Sequence, residues 1–274
     1  MEINLSFAIL LTTLAGLSTG IGSTIALFIR TPKYSYLAVA LGFSAGVMIY
    51  ISFTELLGTA IADVGFARAN IAFFLGIGFI ALIDTFVPHE YKEERVEKAP
   101  QNIDELGQRE VSGLPPQLAT PSKSSLMRSG VLIALGIAIH NFPEGLATFC
   151  AAATGDVALG ITIAVAIAIH NIPEGIAVAV PIFYATGNRR KAFTYSFLSG
   201  VAEPVGALIG YGILFSFLTP ALLSSMLAFV AGIMVFISLD EILPLAHRYG
   251  KEHLVLLGLG AGMLVMAISL FLLR

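Results

Sequence analysis

Two copies of one six-residue motif carry the side chains of this sequence that are best suited to metal chemistry. The first reads His-Asn-Phe-Pro-Glu-Gly over residues 140–145, and the second reads His-Asn-Ile-Pro-Glu-Gly over residues 170–175. Both lie inside long apolar runs, at 131–153 and 157–182. Because a charged side chain at the centre of a bilayer costs roughly 2.5–3.5 kcal/mol by insertion scales, His and Glu residues at equivalent depths need a shared partner. The simplest shared partner is a divalent cation.

The spacing inside each copy favours a common site. His140 and Glu144 are four residues apart, as are His170 and Glu174, so each pair shares one face of a helix. Antiparallel neighbouring helices can bring these two faces together. Imidazole nitrogen and carboxylate oxygen suit zinc and other first-row divalent ions.

The remaining motif residues support the same interpretation. Pro143 and Pro173 cannot donate a backbone hydrogen bond, so each leaves a carbonyl without its helical partner beside the motif. Asn141 and Asn171 can either add amide oxygens to a metal site or satisfy the freed backbone. The single cysteine, Cys150, excludes an intrachain disulfide and a cysteine-based metal site.

The composition indicates an integral membrane protein that positions these motifs on spanning helices. Of the 274 residues, 57% are hydrophobic and 12% are charged, and the mean hydropathy is +0.88. A spanning helix needs about 20 mostly apolar residues. Eight segments qualify, and they lie at about 6–29, 36–57, 67–87, 128–153, 157–185, 192–217, 222–246 and 253–274. Alternating ten-residue segments typical of an outer-membrane barrel are absent from the sequence, and no basic surface indicates nucleic-acid binding.

The distribution of Lys and Arg predicts the orientation. Thirteen of the fifteen lie in the loops after helices 1, 3, 5 and 7, and only Arg68 and Arg274 lie on the other side. The positive-inside rule therefore predicts a multi-pass protein of the cell (inner) membrane with both termini outside the cytoplasm. The N-terminus has no basic region before the first apolar run, so we expect helix 1 to be retained rather than cleaved as a signal peptide.

An internal repeat organises the helices. Residues 42–57 match residues 228–243 at an offset of 186, with eight of sixteen positions identical, and helices 1 and 6 match more weakly at an offset of 184. Helices 1–3 therefore resemble helices 6–8, and because an odd number of spans separates the copies, their orientations must be opposite. The sequence predicts a 3+2+3 inverted repeat around helices 4 and 5, an arrangement typical of secondary transporters with a site near the midplane.

These patterns divide the chain into four parts. Residues 1–88 hold helices 1–3, residues 128–186 hold helices 4 and 5, and residues 187–274 hold helices 6–8. The segment 89–127 is rich in Glu, Lys, Pro and Ser, so we expect a mostly disordered cytoplasmic loop.

Further acidic residues lie outside the motif. Glu203 precedes a proline inside the apolar stretch of helix 6. Glu55, Asp240 and Glu241 are either solvated residues at helix ends or groups along an ion pathway. We expect Asp84 to be solvated.

The paired motif on the fourth and fifth of eight spans resembles the ZIP (Zrt-/Irt-like) family of metal transporters, and the bacterial broad-range zinc-uptake branch is the most similar. The resemblance covers essentially the whole chain. It implies a binuclear metal centre, in which His140, Glu144, His170 and Glu174 hold one ion. It further implies a second ion held by Asn141, Asn171 and Glu203, with the two motif glutamates bridging. Asp240 and Glu241 match a family position near the metal exit. The loop has a single histidine, His89, and so differs from the His-rich loops of many relatives.

The predicted function is transport of Zn²⁺ into the cytoplasm, with Fe²⁺, Mn²⁺, Co²⁺ and Cd²⁺ as further substrates and without an organic cofactor. The inward direction follows from the resemblance. The expected partners are divalent metal ions and membrane lipid. The sequence leaves open whether the chain forms a homodimer. Alternatives are an intramembrane metallohydrolase, a proton-coupled carrier of an organic substrate, and a metal-gated channel or receptor. The hydrolase is disfavoured because the sequence lacks His-Glu-x-x-His.

Overall fold

The described part of the chain is helical throughout, with no strand. The computed structural model describes residues 5–28, 33–85, 123–153, 157–214 and 219–273. These residues form eight long helices: α1 Leu5–Phe28, α2 Tyr34–Val64, α3 Phe66–Thr85, α4 Lys123–Ala153, α5 Val157–Thr186, α6 Arg189–Leu214, α7 Pro220–Tyr249 and α8 Glu252–Leu273. All eight are long and apolar enough to cross a membrane. The prediction of an all-α chain with eight spans is confirmed.

Most of the predicted polar loop lies outside the described residues, which resume at Lys123. Helix α4 begins at this residue, inside the segment that the sequence assigned to the loop. Its first turns carry the polar residues Ser124 and Ser125, so the apolar run in the sequence begins later than the helix does.

Local sequence explains where several helices begin and end. Gly65 has a φ of 84°, a backbone conformation that other residues rarely adopt, and it ends α2 and reverses the chain into α3. Gly187, with a φ of 66°, does the same between α5 and α6. At the start of α7 the hydroxyl of Thr219 accepts a hydrogen bond from the backbone N–H of Leu222, and Pro220 occupies the first turn.

The helices pack as two groups of four. One group, the motif bundle, contains α1, α4, α5 and α6. The other, the flanking bundle, contains α2, α3, α7 and α8. The bundles meet where α2 and α8 contact α5, and where α7 contacts α4. The paired motifs therefore lie in one bundle, with the helices of the other against them.

Two close helix contacts, one of α1 and one of α6, are made by glycines at corresponding positions of the repeat. A Cβ built on Gly22 of α1 would lie 1.9 Å from the carbonyl oxygen of Ile172, and one on Gly206 of α6 would lie 2.0 Å from that of Phe142. Gly22 and Gly206 are separated by 184 residues, and Ile172 and Phe142 are the variable positions of the two motifs. Such short distances leave room only for glycine and bring the helix backbones together. Helix α1 thus packs on α5 as α6 packs on α4.

The flanking bundle carries a second matched feature. Both α2 and α7 contain one π-helical segment, at Ser52–Leu56 and Ser238–Ile242, separated by the offset of 186 seen in the sequence. Short π-helical segments inside α-helices are rare and are frequent at functional sites. The two segments place Glu55 and Glu241 at equivalent positions.

Candidate metal centre

Helices α4 and α5 bury both copies of the motif in the interior of the chain. Both helices continue through their motif prolines, so the His and Glu of each copy remain one turn apart on a single face. The side chains of His140, His170 and Glu174 have no exposed surface, and that of Glu144 is 1% exposed. Four groups able to bind a cation are therefore enclosed between two neighbouring helices.

The pairing between these groups is crossed. The Nε2 atom of His140 lies 3.0 Å from Oε1 of Glu174 on the other helix, and Nε2 of His170 lies 2.9 Å from Oε1 of Glu144. Each imidazole thus contacts the carboxylate of the opposite copy rather than its own. The Nδ1 atom of His170 lies 3.2 Å from the carbonyl oxygen of Ala166, to which it donates when it carries the proton. That contact leaves Nε2 as the nitrogen available to a metal.

The asparagines connect the motif to the helices on either side. Nδ2 of Asn171 donates to the carboxylate of Glu203 on α6, and to the carbonyl oxygen of Ala15 on α1 at 2.9 Å. Nδ2 of Asn141 donates to the carbonyl oxygen of Ser199 at 3.2 Å. The amide nitrogens are thereby held by neighbouring helices, and the amide oxygens are free to face the motif.

Several oxygen atoms at this centre have no hydrogen-bond partner although they are fully buried. They are Oδ1 of both asparagines, both carboxylate oxygens of Glu144, and Oε2 of Glu174 and Glu203. An acceptor left unsatisfied in the interior costs about 1–3 kcal/mol. All six atoms are of types that coordinate divalent cations, so a cation bound among them would satisfy them.

The motif glycines bring the outer helices up to the centre. A Cβ built on Gly145 would lie 2.1 Å from the carbonyl oxygen of Glu203, and one built on Gly175 would lie 2.1 Å from that of Thr19. Glycine at the end of each motif therefore lets α6 approach α4 and lets α1 approach α5. This approach is what places Glu203 beside the asparagine of the second copy.

Comparison with known proteins identifies the family. The family model described as ZIP Zinc transporter matches residues 87–270. A protein of Clostridium perfringens named "Zinc transporter ZupT" is 53% identical over 280 residues, covering 98% of this chain and 96% of the relative. Proteins of the same name from Nitratidesulfovibrio vulgaris and Streptococcus mutans are 53% and 49% identical and cover 98% and 99% of this chain. This chain belongs to the ZIP zinc transporter family.

Membership of the ZIP family confirms the resemblance given by the doubled motif, and the relatives of this chain are named as transporters rather than as enzymes. The metallohydrolase and the organic-substrate carrier find no support among these relatives.

A second group of carboxylates lies away from the paired motif of this ZIP protein. Ligand atoms of Asp84, Asp240 and Glu241 all lie within 4.8 Å of one another, and no other set of three His, Cys, Asp or Glu residues in the described ranges meets that spacing. Asp84 belongs to α3, and the other two belong to the π-helical segment of α7. The sequence analysis predicted that Asp84 is solvated and did not predict that it belongs to this group. Nothing in the sequence linked α3 to α7 at that point.

The ligand atoms of the paired motif do not meet this 4.8 Å spacing. Its imidazoles and carboxylates form two separate ion pairs and are not gathered around one point. Glu55, the equivalent of Glu241, is half-buried on α2. The structure therefore groups the predicted residues as a buried motif with Glu203, an acidic group at α7, and Glu55 on α2.

Proposed function

We propose that this chain transports Zn²⁺ across the cell membrane into the cytoplasm, together with other divalent ions such as Fe²⁺, Mn²⁺, Co²⁺ and Cd²⁺, through the paired motif. The single observation that carries the proposal is the set of buried, unsatisfied ligand oxygens around two His–Glu pairs. The ZIP relatives named as zinc transporters support zinc as the substrate.

One ion would be held by the imidazoles of His140 and His170 with the carboxylates of Glu144 and Glu174. For this the two ion pairs open, and the four side chains turn toward a common point. The crossed pairing supports this step, because each carboxylate already contacts the helix opposite its own. Since nitrogen and oxygen ligands hold zinc less firmly than thiolates do, such a site suits an ion that must be released again.

A second ion would be held by Asn141, Asn171 and Glu203, with the motif glutamates bridging the two ions. The free amide oxygens and the free Oε2 atoms are the ligands for this position. The hydrogen bonds from both amide nitrogens support it, because they fix the orientation of the oxygens.

The centre would lie near the membrane midplane, at the interface of an inverted 3+2+3 repeat. The matched glycine contacts of α1 and α6 support this architecture, as do the matched π-helical segments of α2 and α7. With both termini outside the cytoplasm, Glu55 lies toward the outside of the motif, and Asp240 and Glu241 lie toward the cytoplasm. We assign these three residues to the ion pathway and add Asp84 to its inner end.

Two helices offer the surfaces that face the bilayer. Helices α3 and α8 are the least buried of the eight, and they expose large apolar side chains such as Phe74, Leu75 and Phe271. We assign these faces to membrane lipid. The homodimer stays a prediction, to be tested by light scattering on the purified protein.

Uptake into proteoliposomes tests the proposed function. Glu144→Ala removes one carboxylate from the centre and leaves His170 without its partner, so zinc uptake and zinc binding should both be lost. Glu252→Ala, an exposed glutamate at the start of α8, is the matched control and should transport as the unmodified protein does. Unchanged uptake in Glu144→Ala, with full insertion, would refute the proposal.

A further inference from the structure

One buried hydroxyl of α1 has no hydrogen-bond partner. Thr19 has no exposed surface, and its Oγ1 atom contacts no donor or acceptor. The other buried hydroxyls of the same helix donate to carbonyls of their own helix: Thr12 to Ala8 at 3.0 Å, Ser18 to Ala15 at 2.6 Å and Ser23 to Thr19 at 2.7 Å. A threonine normally does the same inside an apolar helix, so the free hydroxyl of Thr19 requires an explanation.

Thr19 lies at the wall of the metal centre. Its carbonyl oxygen meets Gly175, the last residue of the second motif. A Cβ built on Gly200 of α6 would lie 2.7 Å from its Cβ and 2.9 Å from its Oγ1. One turn earlier, a Cβ built on Gly16 would lie 3.1 Å from Cβ of Glu203. Thr19 is therefore enclosed between the motif helix α5 and the helix that carries Glu203, and its hydroxyl lies against Gly200 of the latter.

The repeat assigns Thr19 a specific counterpart. At the offset of 184 that relates α1 to α6, Thr19 corresponds to Glu203. The two carbonyl oxygens make equivalent contacts, since each would lie 2.1 Å from a Cβ on the motif glycine beside it. The asparagine contacts are also equivalent, because Ala15 and Ser199, which accept from Asn171 and Asn141, are 184 residues apart.

This correspondence indicates where the hydroxyl acts. The backbone of Glu203 packs on Gly145 of α4, but its carboxylate contacts Asn171 of the other motif helix, α5. By the same rule we expect Thr19 to act beside Asn141, whose Oδ1 also has no partner and whose Nδ2 donates to the carbonyl of Ser199, next to the glycine that Oγ1 of Thr19 approaches. The carboxylate of Glu203 on α6 thus has the neutral hydroxyl of Thr19 on α1 as its counterpart.

We propose that Oγ1 of Thr19 is a neutral oxygen ligand of the cation held by Asn141, Asn171 and Glu203, and that it sets the preference of this position among divalent ions. The inference rests on the proposed function and adds a residue of α1 to it. Zinc is satisfied by four ligands, whereas Mn²⁺ favours six oxygen ligands in octahedral geometry. An additional hydroxyl oxygen therefore stabilises Mn²⁺ more than Zn²⁺.

The first test compares Mn²⁺ and Zn²⁺ uptake by the full chain in proteoliposomes. Thr19→Val keeps the shape and removes the oxygen, and we expect Mn²⁺ uptake at limiting concentration to fall about tenfold or more, since even the loss of a group that only supports a ligand costs about that much. Zinc uptake should fall much less, so the Mn²⁺/Zn²⁺ ratio drops. Thr19→Ser should restore that ratio. Thr12→Val is the matched control, because Thr12 is equally buried on α1 but bonds to Ala8.

A second variant decides the matter if Thr19→Val does not fold. Thr19→Cys replaces the hard oxygen by a soft sulfur, which should raise the affinity for Cd²⁺ relative to Mn²⁺. A purely structural role for Thr19 would not alter the ranking of metals. The inference is overturned if Thr19→Val folds and leaves the Mn²⁺/Zn²⁺ uptake ratio unchanged. If only Thr19→Cys folds, the inference is overturned when that variant shows no gain in Cd²⁺ affinity.

Glu144→Ala separates this inference from the proposed function. If Glu144→Ala loses metal binding while the Thr19 variants keep the original metal ranking, the inference alone fails. If Glu144→Ala still binds and transports zinc, the proposed function fails first.

Discussion

The two bundles use the same packing device but differ in what they enclose. In the motif bundle, a Cβ on Gly145 would lie 2.1 Å from a carbonyl oxygen of the neighbouring helix, and in the flanking bundle a Cβ on Gly46 would lie 2.1 Å from the carbonyl oxygen of Leu259. Yet of the twenty buried polar side chains that the structure describes, fifteen belong to the motif bundle and five to the flanking bundle. Close approach of helices is thus a property of both bundles, whereas most of the buried polar side chains belong to one of them.

This difference separates two roles that small residues and polar residues play in membrane helices. Without a hydrophobic driving force between helices in lipid, glycine contacts supply packing in both bundles. The polar groups of the motif bundle are costly in that setting and are retained where they serve a site. The flanking bundle holds its single buried acid, Glu241, at its π-helical segment and near Asp84 and Asp240.

The largest effect should follow from removing a carboxylate of the motif bundle. In Glu174→Ala, His140 loses its ion-pair partner and both proposed ions lose a ligand, so zinc affinity should fall about 100-fold or more. Isothermal titration of the purified protein measures this directly. Ser224→Ala, a buried polar change in the flanking bundle, should leave zinc affinity unchanged. Equal losses in the two variants would erase the distinction between the bundles.

A smaller effect should distinguish glycines of the two bundles. Gly145→Ala and Gly46→Ala each introduce a methyl group against a backbone carbonyl, so each should lower the free energy of unfolding by about 1–3 kcal/mol. Only Gly145→Ala also displaces Glu203, so only this variant should bind zinc more weakly.

Thermal unfolding in detergent and zinc titration on the same samples check both parts of that prediction. The matched controls are Gly212→Ala and Gly260→Ala, because a Cβ at either position meets no atom within 4 Å. If Gly46→Ala weakened zinc binding as much as Gly145→Ala did, the packing of the flanking bundle would also shape the site.

The smallest effect on affinity should come from the π-helical segments. Glu55 and Glu241 lie at equivalent positions outside the motif. Glu55→Gln and Glu241→Gln should therefore both slow zinc uptake. Zinc affinity should stay within about twofold, a smaller change than the loss of a residue that supports a metal ligand causes. Uptake rate and equilibrium binding, measured side by side with Glu252→Gln as control, test this. A change in affinity as large as that of Glu174→Ala would place these acids in the site itself.

The sequence was sufficient for the elements that depend on local pattern. The spacing of His140 and Glu144, repeated thirty residues later, predicted one face on each of two neighbouring helices, and the structure buries both faces together. The apolar runs predicted eight spans for the same reason, because helix length and hydropathy are local quantities.

The contacts between helices required the structure. The crossed pairing of His140 with Glu174 depends on the axial register of α4 against α5, which no residue pattern within either helix determines. Asp84 joins Asp240 only because α3 packs on α7. The free hydroxyl of Thr19 became visible once the partners of its neighbours were known, although the 184-residue offset already linked it to Glu203.

The central claim is that the paired motif is the zinc-binding site, and X-ray absorption spectroscopy of the zinc-loaded protein tests it most directly. We predict a shell of nitrogen and oxygen ligands at about 2.0–2.2 Å, without sulfur. The spectrum should show imidazole scattering, and that scattering should disappear in the His140→Ala/His170→Ala double variant. Imidazole scattering that persists unchanged in the double variant, or zinc bound without any imidazole in the unmodified protein, would contradict the account.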